Sequence, residues 1–430
     1  MTPAARLSAA IDILDEISEG RVTDRVLKHW AKYNRYAGSK DRAAIQTRVF
    51  DVLRNRSLYA HAMNNDDARA LVLGSLIAGD GISRDDIKVL FDGGKFSPDA
   101  LSSDEVALLD TFYDRVVQMS ETAKINVPDW LVPALKEALG SSFMEEMTAL
   151  NGRAPVDIRV NVQKGDRDTA RQALADEGIE TELSPMSPWG LRAEMAARVT
   201  HTATFKNGFV EIQDEGSQLA CLVADAKPGE QIVDLCAGAG GKALSLASCL
   251  DGKGLVLACD IDARRLGRLK PRARRAKTEV IQTKSLRAFD PNVADPDLGD
   301  LENSVDCVVV DAPCTGSGAW RRHPESRWHL TQEKLDEYHA LQAEVLLRGA
   351  RLVRPGGRLV YVTCSVFRSE NDDQIDAFLA KYPEFSERDW RKNWPEGVTK
   401  PNAPEGPRLR LTPATTNTDG FFVSILERSE

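Results

Sequence analysis

The stretch Val233-Asp234-Leu235-Cys236-Ala237-Gly238-Ala239-Gly240-Gly241-Lys242-Ala243 reads as a strand, a glycine turn and the opening of a helix. Working outward, apolar runs at 255–260, 279–283, 305–311 and 358–363 join 231–235 as candidate strands, with helical patterns between them. That alternation predicts an α/β fold, a doubly wound parallel sheet from about residue 206 onward. Ligands of such sheets bind beyond the carboxyl ends of the strands. The turn is not a P-loop: Cys236 stands where glycine is required, and Ala243 replaces the hydroxyl that holds magnesium. Gly238, Gly240 and Ala243 fit the dinucleotide spacing GxGxxG/A, and Asp260 closes the next strand where a ribose-binding acid belongs. S-adenosylmethionine is held by the same geometry, so the turn alone leaves both cofactors open.

Two other strands end in thiols. One run is Val305-Asp306-Cys307-Val308-Val309-Val310-Asp311-Ala312-Pro313-Cys314, the other Arg358-Leu359-Val360-Tyr361-Val362-Thr363-Cys364-Ser365. A lone free cysteine is usually a small buried hydrophobe. Two of them on the rim that carries the cofactor turn suit covalent attack on a ring. Hydride transfer to a nicotinamide does not call for such a pair. Methylation at carbon 5 of a pyrimidine does call for a nucleophile, because a thiolate adding to carbon 6 turns the ring into an enamine with a nucleophilic carbon 5. The hydrogen on carbon 5 must then leave before the thiolate can, which gives a second polar group a task.

Composition agrees with a soluble enzyme of two or three domains. The 430 residues are 42% hydrophobic and 28% charged, ordinary for a globular chain. Seven cysteines without CxxC spacing and six scattered histidines favour neither a disulfide framework nor a metal site. No run has the length of a membrane span, and the N-terminus lacks a secretory core, so a reducing cytoplasm is expected. The net charge of −9 hides its distribution. From Arg21 to Tyr59 ten Lys/Arg face three Asp/Glu; from Ala60 to Glu121 five face twelve. A second basic run, Arg264 to Lys277, has eight Lys/Arg and no acid. Phosphate binding depends on local positive surface, so RNA stays open as a partner, although charge runs on helices are often only solvated faces.

Three regions separate along the chain. Residues 1–125 read as helical, with Leu7, Ile11, Leu14, Ile17 and then Ile45, Val49, Val52, Leu53 at helical spacing. Residues 128–205 mix helix with short strands, among them Val156 to Asn161. Residues 206–430 form the α/β core, with surface loops expected at Asp290–Ser304 and Trp394–Asp419.

At the cysteines the chain resembles the Nop/Sun family of RNA cytosine-5 methyltransferases, in its bacterial small-subunit rRNA subgroup. Asp311-Ala312-Pro313-Cys314-Thr315-Gly316-Ser317-Gly318 resembles that family's DAPCSGxG motif, and Tyr361-Val362-Thr363-Cys364-Ser365, followed by Glu370-Asn371, resembles YxTCS. Asp234-Leu235-Cys236-Ala237 through Lys242 resembles DLCAAPGGK. Gln213–Leu219, Arg321-Arg322-His323-Pro324 and Asp419-Gly420-Phe421-Phe422 resemble further family segments, and Lys40–Arg54 resembles a helical, NusB-like RNA-binding domain. The resemblance implies a Rossmann-like S-adenosylmethionine-dependent core behind an all-α NusB-like domain, with RNA, probably small-subunit rRNA, as substrate and no obligate protein partner. By position it implies Cys364 as the nucleophile on carbon 6, Cys314 as the group that helps resolve the adduct, and Asp311 beside base and cofactor. Cys236, Ala237, Gly238, Ala239, Gly240, Gly241, Lys242 and Asp260 would hold S-adenosylmethionine, with Arg265 matching a family arginine. Two positions depart from the pattern: Ser285 stands where the family has an Asp near the adenosine, and Ala239 where it has proline. Trp320, Trp328 and Phe367 are candidates either to stack on a flipped cytosine or to pack in the core or rim, and Arg321, Arg322 and Arg327 are candidates to hold flanking phosphates. A tRNA or large-subunit rRNA specificity would keep the same catalytic residues. A nicotinamide-dependent oxidoreductase would keep only the turn and Asp260, and a non-enzymatic ribosome-assembly factor would not need the two thiols.

Overall fold

In the computed structural model, which describes residues 1–121, 123–194 and 197–430, the chain forms two compact units. One comprises Met1–Gly152 with Trp320–Leu330, the other Arg153–Ala319 with Thr331–Glu430. This division departs from a boundary near residues 125–128: residues 128–152 stay with the helical unit. So does a strip from the middle of the expected catalytic region.

The helical unit grows from amphipathic sequence. Thr2 Oγ1 caps the first helix, Pro3–Ser18, by accepting from Ala5 N–H, and Ala10, Ile13, Leu14 and Ile17 turn inward. Val49, Val52 and Leu53 of helix Ser39–Arg54 meet Leu71, Val72, Leu73 and Leu76 of helix Ala68–Ala78 in the same core. The Trp320–Leu330 strip is held by Arg327, whose fully buried guanidinium donates to the carbonyls of Asn126 and Leu150 at 3.0 and 3.2 Å and to the Asn151 side chain. Burial, with Arg54 nearby, pulls Arg327 down to about 9.

The second unit contains two sheets. β1 (Val156–Val160), β2 (Thr181–Leu183), β3 (Gly190–Ala193) and β4 (Val210–Ile212) form an antiparallel sheet ordered β2-β3-β1-β4. Ile158, Val160, Leu191 and Val210 back it with Ala170 and Leu174 of helix Arg167–Asp176. The larger sheet holds β5 (Gln231–Asp234), β6 (Leu255–Asp260), β7 (Ile281–Ser285), β8 (Val305–Asp311) and β9 (Val353–Thr363) in parallel, in the order β9-β8-β5-β6-β7. Val308, Val309 and Val310 are covered on both faces, which is why β8 reads as an unbroken apolar run.

Three antiparallel strands extend this sheet beyond the sequence reading. β12 (Phe421–Arg428) pairs with β9, while β10 (Phe385–Arg388) and β11 (Leu409–Leu411) pair with β12. Their pairing partners are distant in sequence, and β10 and β11 are too short to carry a period. β7 lies two residues later than expected, and β9 begins five residues earlier, through the exposed Arg354-Pro355-Gly356. No helix among the described residues is long and apolar enough to cross a membrane.

Candidate active site

β8 and β9 are neighbours with Asp311 opposite Val362, so the loops after them leave the sheet side by side. Ala312 N–H donates to Val362 O at 2.8 Å, Gly318 N–H to Cys364 O at 2.9 Å, and Gly420 N–H to Gly318 O at 2.8 Å. The backbone thereby laces both loops and the Asp419-Gly420 segment together. It brings Cys314 and Cys364, both half-buried and free, to an Sγ–Sγ distance of 3.6 Å. The hydrogen bond to Cys364 pushes the Cys314 thiol well up, burial adds to this, and the charges of Cys364 and Glu370 add further. The two sulfurs thus sit close enough for charge on Cys364 to oppose ionisation of Cys314.

A buried carboxylate fixes the loops. Glu370 Oε1 accepts from Thr315 N–H and from Gln342 Nε2, both at 2.9 Å, and Oε2 accepts from the hydroxyls of Thr315 and Ser365. Gln342, in the helix Gln332–Leu352, also donates to Pro313 O at 2.9 Å. Asn371 Nδ2 donates to Ser365 O at 2.9 Å while its Oδ1 accepts from Thr363 Oγ1 at 2.6 Å. These partners fill the acceptor capacity of a buried acid that is otherwise costly. Glu370 was legible as part of the second cysteine motif. Gln342 was not, since nothing in a helical period distinguishes a buried glutamine aimed at a loop. Tyr338, one turn before Gln342 on the same helix face, was also missed. Burial raises its phenol, with Cys314, Glu370 and Cys364 adding.

The glycine turn follows β5. Gly238 and Gly240 have φ of +54° and +81°, and Gly240 begins the helix Gly241–Cys249. A Cβ on Gly240 would lie 2.2 Å from the Leu269 side chain, so this glycine serves close packing of the turn against the next helix. Asp260, at the end of β6, pins the turn: one oxygen accepts from Gly238 N–H and the other from Asp262 N–H, each at 2.7 Å. Ala237 N–H donates to Cys259 O at 2.8 Å, and Ala239 O accepts from Arg272 at 2.6 Å. The exposed Arg265 lies against Gly238, where an added Cβ would meet its guanidinium at 2.7 Å. Ser285 is exposed at the end of β7, opposite Asp260 in the ladder.

Lys242 and Asp311, both expected at the cofactor, form an ion pair with each other at 2.8 Å, and the ammonium sits 5.3 Å from the centre of the Phe421 ring. Burial opposes the Lys242 charge, but Asp311 outweighs it and holds the ammonium protonated. Beneath them Asp234 is fully buried with neither carboxylate oxygen hydrogen-bonded, and burial together with Asp311 pushes it up to about 7. Burial also raises the Cys236 thiol, as do Asp234, Asp311 and Asp260, so Cys236 is an inert neighbour rather than a nucleophile.

Several expected RNA-binding side chains are buried. Trp320 and Phe367 are fully buried, Arg321 nearly so, and Trp328 lies under the Arg56 guanidinium at 4.8 Å. Trp320, Arg321, Arg322, Arg327 and Trp328 all belong to the helical unit. Arg327 has its donors on backbone carbonyls and Asn151, and cannot hold a phosphate. The motifs recognised these residues but said nothing of which way they face.

A parallel sheet in the order β9-β8-β5-β6-β7, with a glycine turn after β5 and an acid after β6, defines a Rossmann-like methyltransferase core. Residues 221–427 match the family model described as 16S rRNA methyltransferase RsmB/F, and residues 127–200 match the RsmF/B-like ferredoxin-like domain. Over these two stretches the chain is similar to the RsmB/F family. It is 32% identical over 304 residues to a probable ribosomal RNA small subunit methyltransferase B of Bacillus subtilis (strain 168), covering 70% of this chain and 66%, just under two thirds, of that relative. The crystal structure of PH0851 is similar with a TM-score of 0.77 at 28% identity, over 100% of this chain and 99% of that one. A methyltransferase homolog protein from Pyrococcus horikoshii is similar with a TM-score of 0.59 at 25% identity, over 72% of this chain and 97% of that one.

S-adenosylmethionine is the cofactor of such a core, and the residues fit it. The turn presents backbone without side chains at Gly238, Gly240 and Gly241, and a Cβ on Gly241 would meet open space. Asp260 retains lone pairs for ribose hydroxyls, and Asp234 offers an orphaned acceptor under the turn.

Proposed function

We propose that this protein methylates carbon 5 of a cytosine in small-subunit ribosomal RNA. The observation that carries the reading is the pair of thiols 3.6 Å apart at the ends of adjacent strands. Their position on the rim of the cofactor turn, and the chain's similarity to the RsmB/F family, support it.

Cys364 adds through sulfur to carbon 6 of the flipped base, forming the S–C6 bond and moving the ring's double-bond electrons toward carbon 5 and the N3 edge. Asp311, paired with Lys242 and half-exposed, borders that edge. S-adenosylmethionine supplies the electrophilic methyl group when bound. Once Cys364 is a thioether it no longer bears charge, which removes its part in opposing ionisation of Cys314. Cys314, having lost its own proton to solvent, takes the carbon-5 proton as a thiolate, the C5–H electrons re-form the C5–C6 double bond, and the S–C6 bond breaks with its electrons on the Cys364 sulfur, which leaves as thiolate. Glu370, with Thr315, Ser365 and Gln342, holds both loops at that spacing; it positions the thiols rather than touching the base. Bisulfite sequencing of ribosomal RNA from cells with and without the protein tests the assignment. A small-subunit cytosine protected from conversion only when the protein is present is the expected result, whereas protection confined to tRNA or to no RNA overturns it.

A further inference from the structure

We infer that the helix Thr23–Tyr33 and the segment after it form a platform on which unpaired RNA bases stack; this rests on the RNA-methyltransferase reading. Tyr33 and Tyr36 are 67% and 72% exposed, and neither hydroxyl has a partner among the described residues. Aromatic rings left this open in a soluble chain have no packing role to explain them. Tyr33 is not adrift: His29, one turn earlier, meets its ring at 4.6 Å between centroids, and Lys32 Nζ lies 5.6 Å from its centre. The helix turns its other side inward, burying Thr23 and Val26 and packing Leu27 and Trp30 against the core.

Six cations flank the two rings in sequence, and Lys32 lies over one of them. Arg25, Lys28, Lys32, Arg35, Lys40 and Arg42 are all exposed, and none has an acidic partner among the described residues. Apart from the exposed Asp24 in the first turn of the helix, the one acid of this stretch is Asp41. Its carboxylate is engaged inward, accepting from the Met1 ammonium, Arg6 and the Gly38 N–H. Other arginines of the same basic run are neutralised: Arg21 pairs with Glu16, Arg48 with Asp80 and Arg56 with Asp66. The run thus sorts into arginines paired with acids of the same unit and a stretch, Arg25 to Arg42, of exposed cations without ion pairs among the described residues that includes the two tyrosines. Positive side chains that follow a phosphate backbone, interleaved with rings that accept any base face, are the recognition elements of single-stranded nucleic acid. An acidic protein surface would use the cations but leave the two rings without a task.

The test uses the full-length protein with a short single-stranded RNA and a duplex of equal length. The double variant Tyr33→Ala/Tyr36→Ala should bind the single strand about 5- to 150-fold more weakly for each base that stacks, with duplex affinity unchanged. Its slope of log affinity against log salt should also be unchanged, because stacking releases no counterions. Tyr33→Phe/Tyr36→Phe should bind as wild type. Lys28→Ala/Lys32→Ala should instead lower the slope, by roughly 0.7 for each phosphate no longer neutralised. Wild-type affinity of the alanine pair for the single strand overturns the platform, as does an equal loss on duplex. Methylation by a protein whose binding ignores the tyrosines fails the platform alone. Tyrosine-dependent binding by a protein that methylates no RNA fails the enzymatic reading alone.

Discussion

The loop that carries Cys314 runs directly into the strip Trp320–Leu330, yet the two regions use their polar side chains differently. In the loop the Cys314 sulfur stays half-buried while Thr315, Ser317, Ser365 and Glu370 satisfy one another. In the strip the arginine and tryptophan side chains are themselves the buried layer, with Arg327 stacked 4.9 Å from the Trp320 ring centre.

Stability measurements sharpen that contrast. Arg327→Ala should cost about 3–5 kcal/mol, because it leaves two buried carbonyls and the Asn151 oxygen without a donor and opens a cavity. Cys314→Ala should cost less than about 1 kcal/mol, since a half-exposed sulfur forfeits little packing. Denaturant unfolding checks both, and similar costs for the two variants would erase the distinction.

A second prediction concerns the acid beneath the cofactor turn. Asp234 sits at about 7 in the folded protein, far above the ordinary carboxylate value of about 3.9. Between those values the folded state keeps a proton that the unfolded state has released. This acid therefore erodes stability as pH rises from about 4 to 7, with no further loss above that. Asp234→Asn should be more stable than wild type at pH 8, by up to about 4 kcal/mol, with the gain vanishing near pH 4. Equal stabilisation at both pH values would mean the carboxylate is not held protonated.

The same division explains what the sequence disclosed. The thiols, Asp311 and the glycine turn were legible because each ends a strand, and strand ends in a parallel sheet converge by topology alone. Gln342 and Tyr338 were not, since their meaning comes from a helix packing over a loop nearly thirty residues earlier. Trp320 fits both packing and base stacking by residue type, and Arg327 suggests phosphate binding; only burial decides, and it places both in the interior. The antiparallel strands Phe385–Arg388 and Leu409–Leu411 were too short to announce themselves. The pairing of Lys242 with Asp311 joined two residues that had each been read separately as cofactor ligands.

At the cofactor side the expected effect is smaller. Asp260→Ala removes a charged acceptor for the ribose and unpins the Gly238 N–H, which should weaken S-adenosylmethionine binding by about 1.5–3 kcal/mol in calorimetry. Unchanged affinity, or a preference for NAD, would place the cofactor elsewhere.

The central claim is the division of labour between two sulfurs, and denaturing gels with substrate RNA read it directly. Cys314→Ala should form the adduct, accept the methyl group and fail to release it, giving a retarded protein–RNA band. Cys364→Ala should give no band and no methylation, and the double variant should lose the band that Cys314→Ala shows. A band from Cys364→Ala instead would exchange the two roles, and active variants that trap nothing would contradict the covalent mechanism.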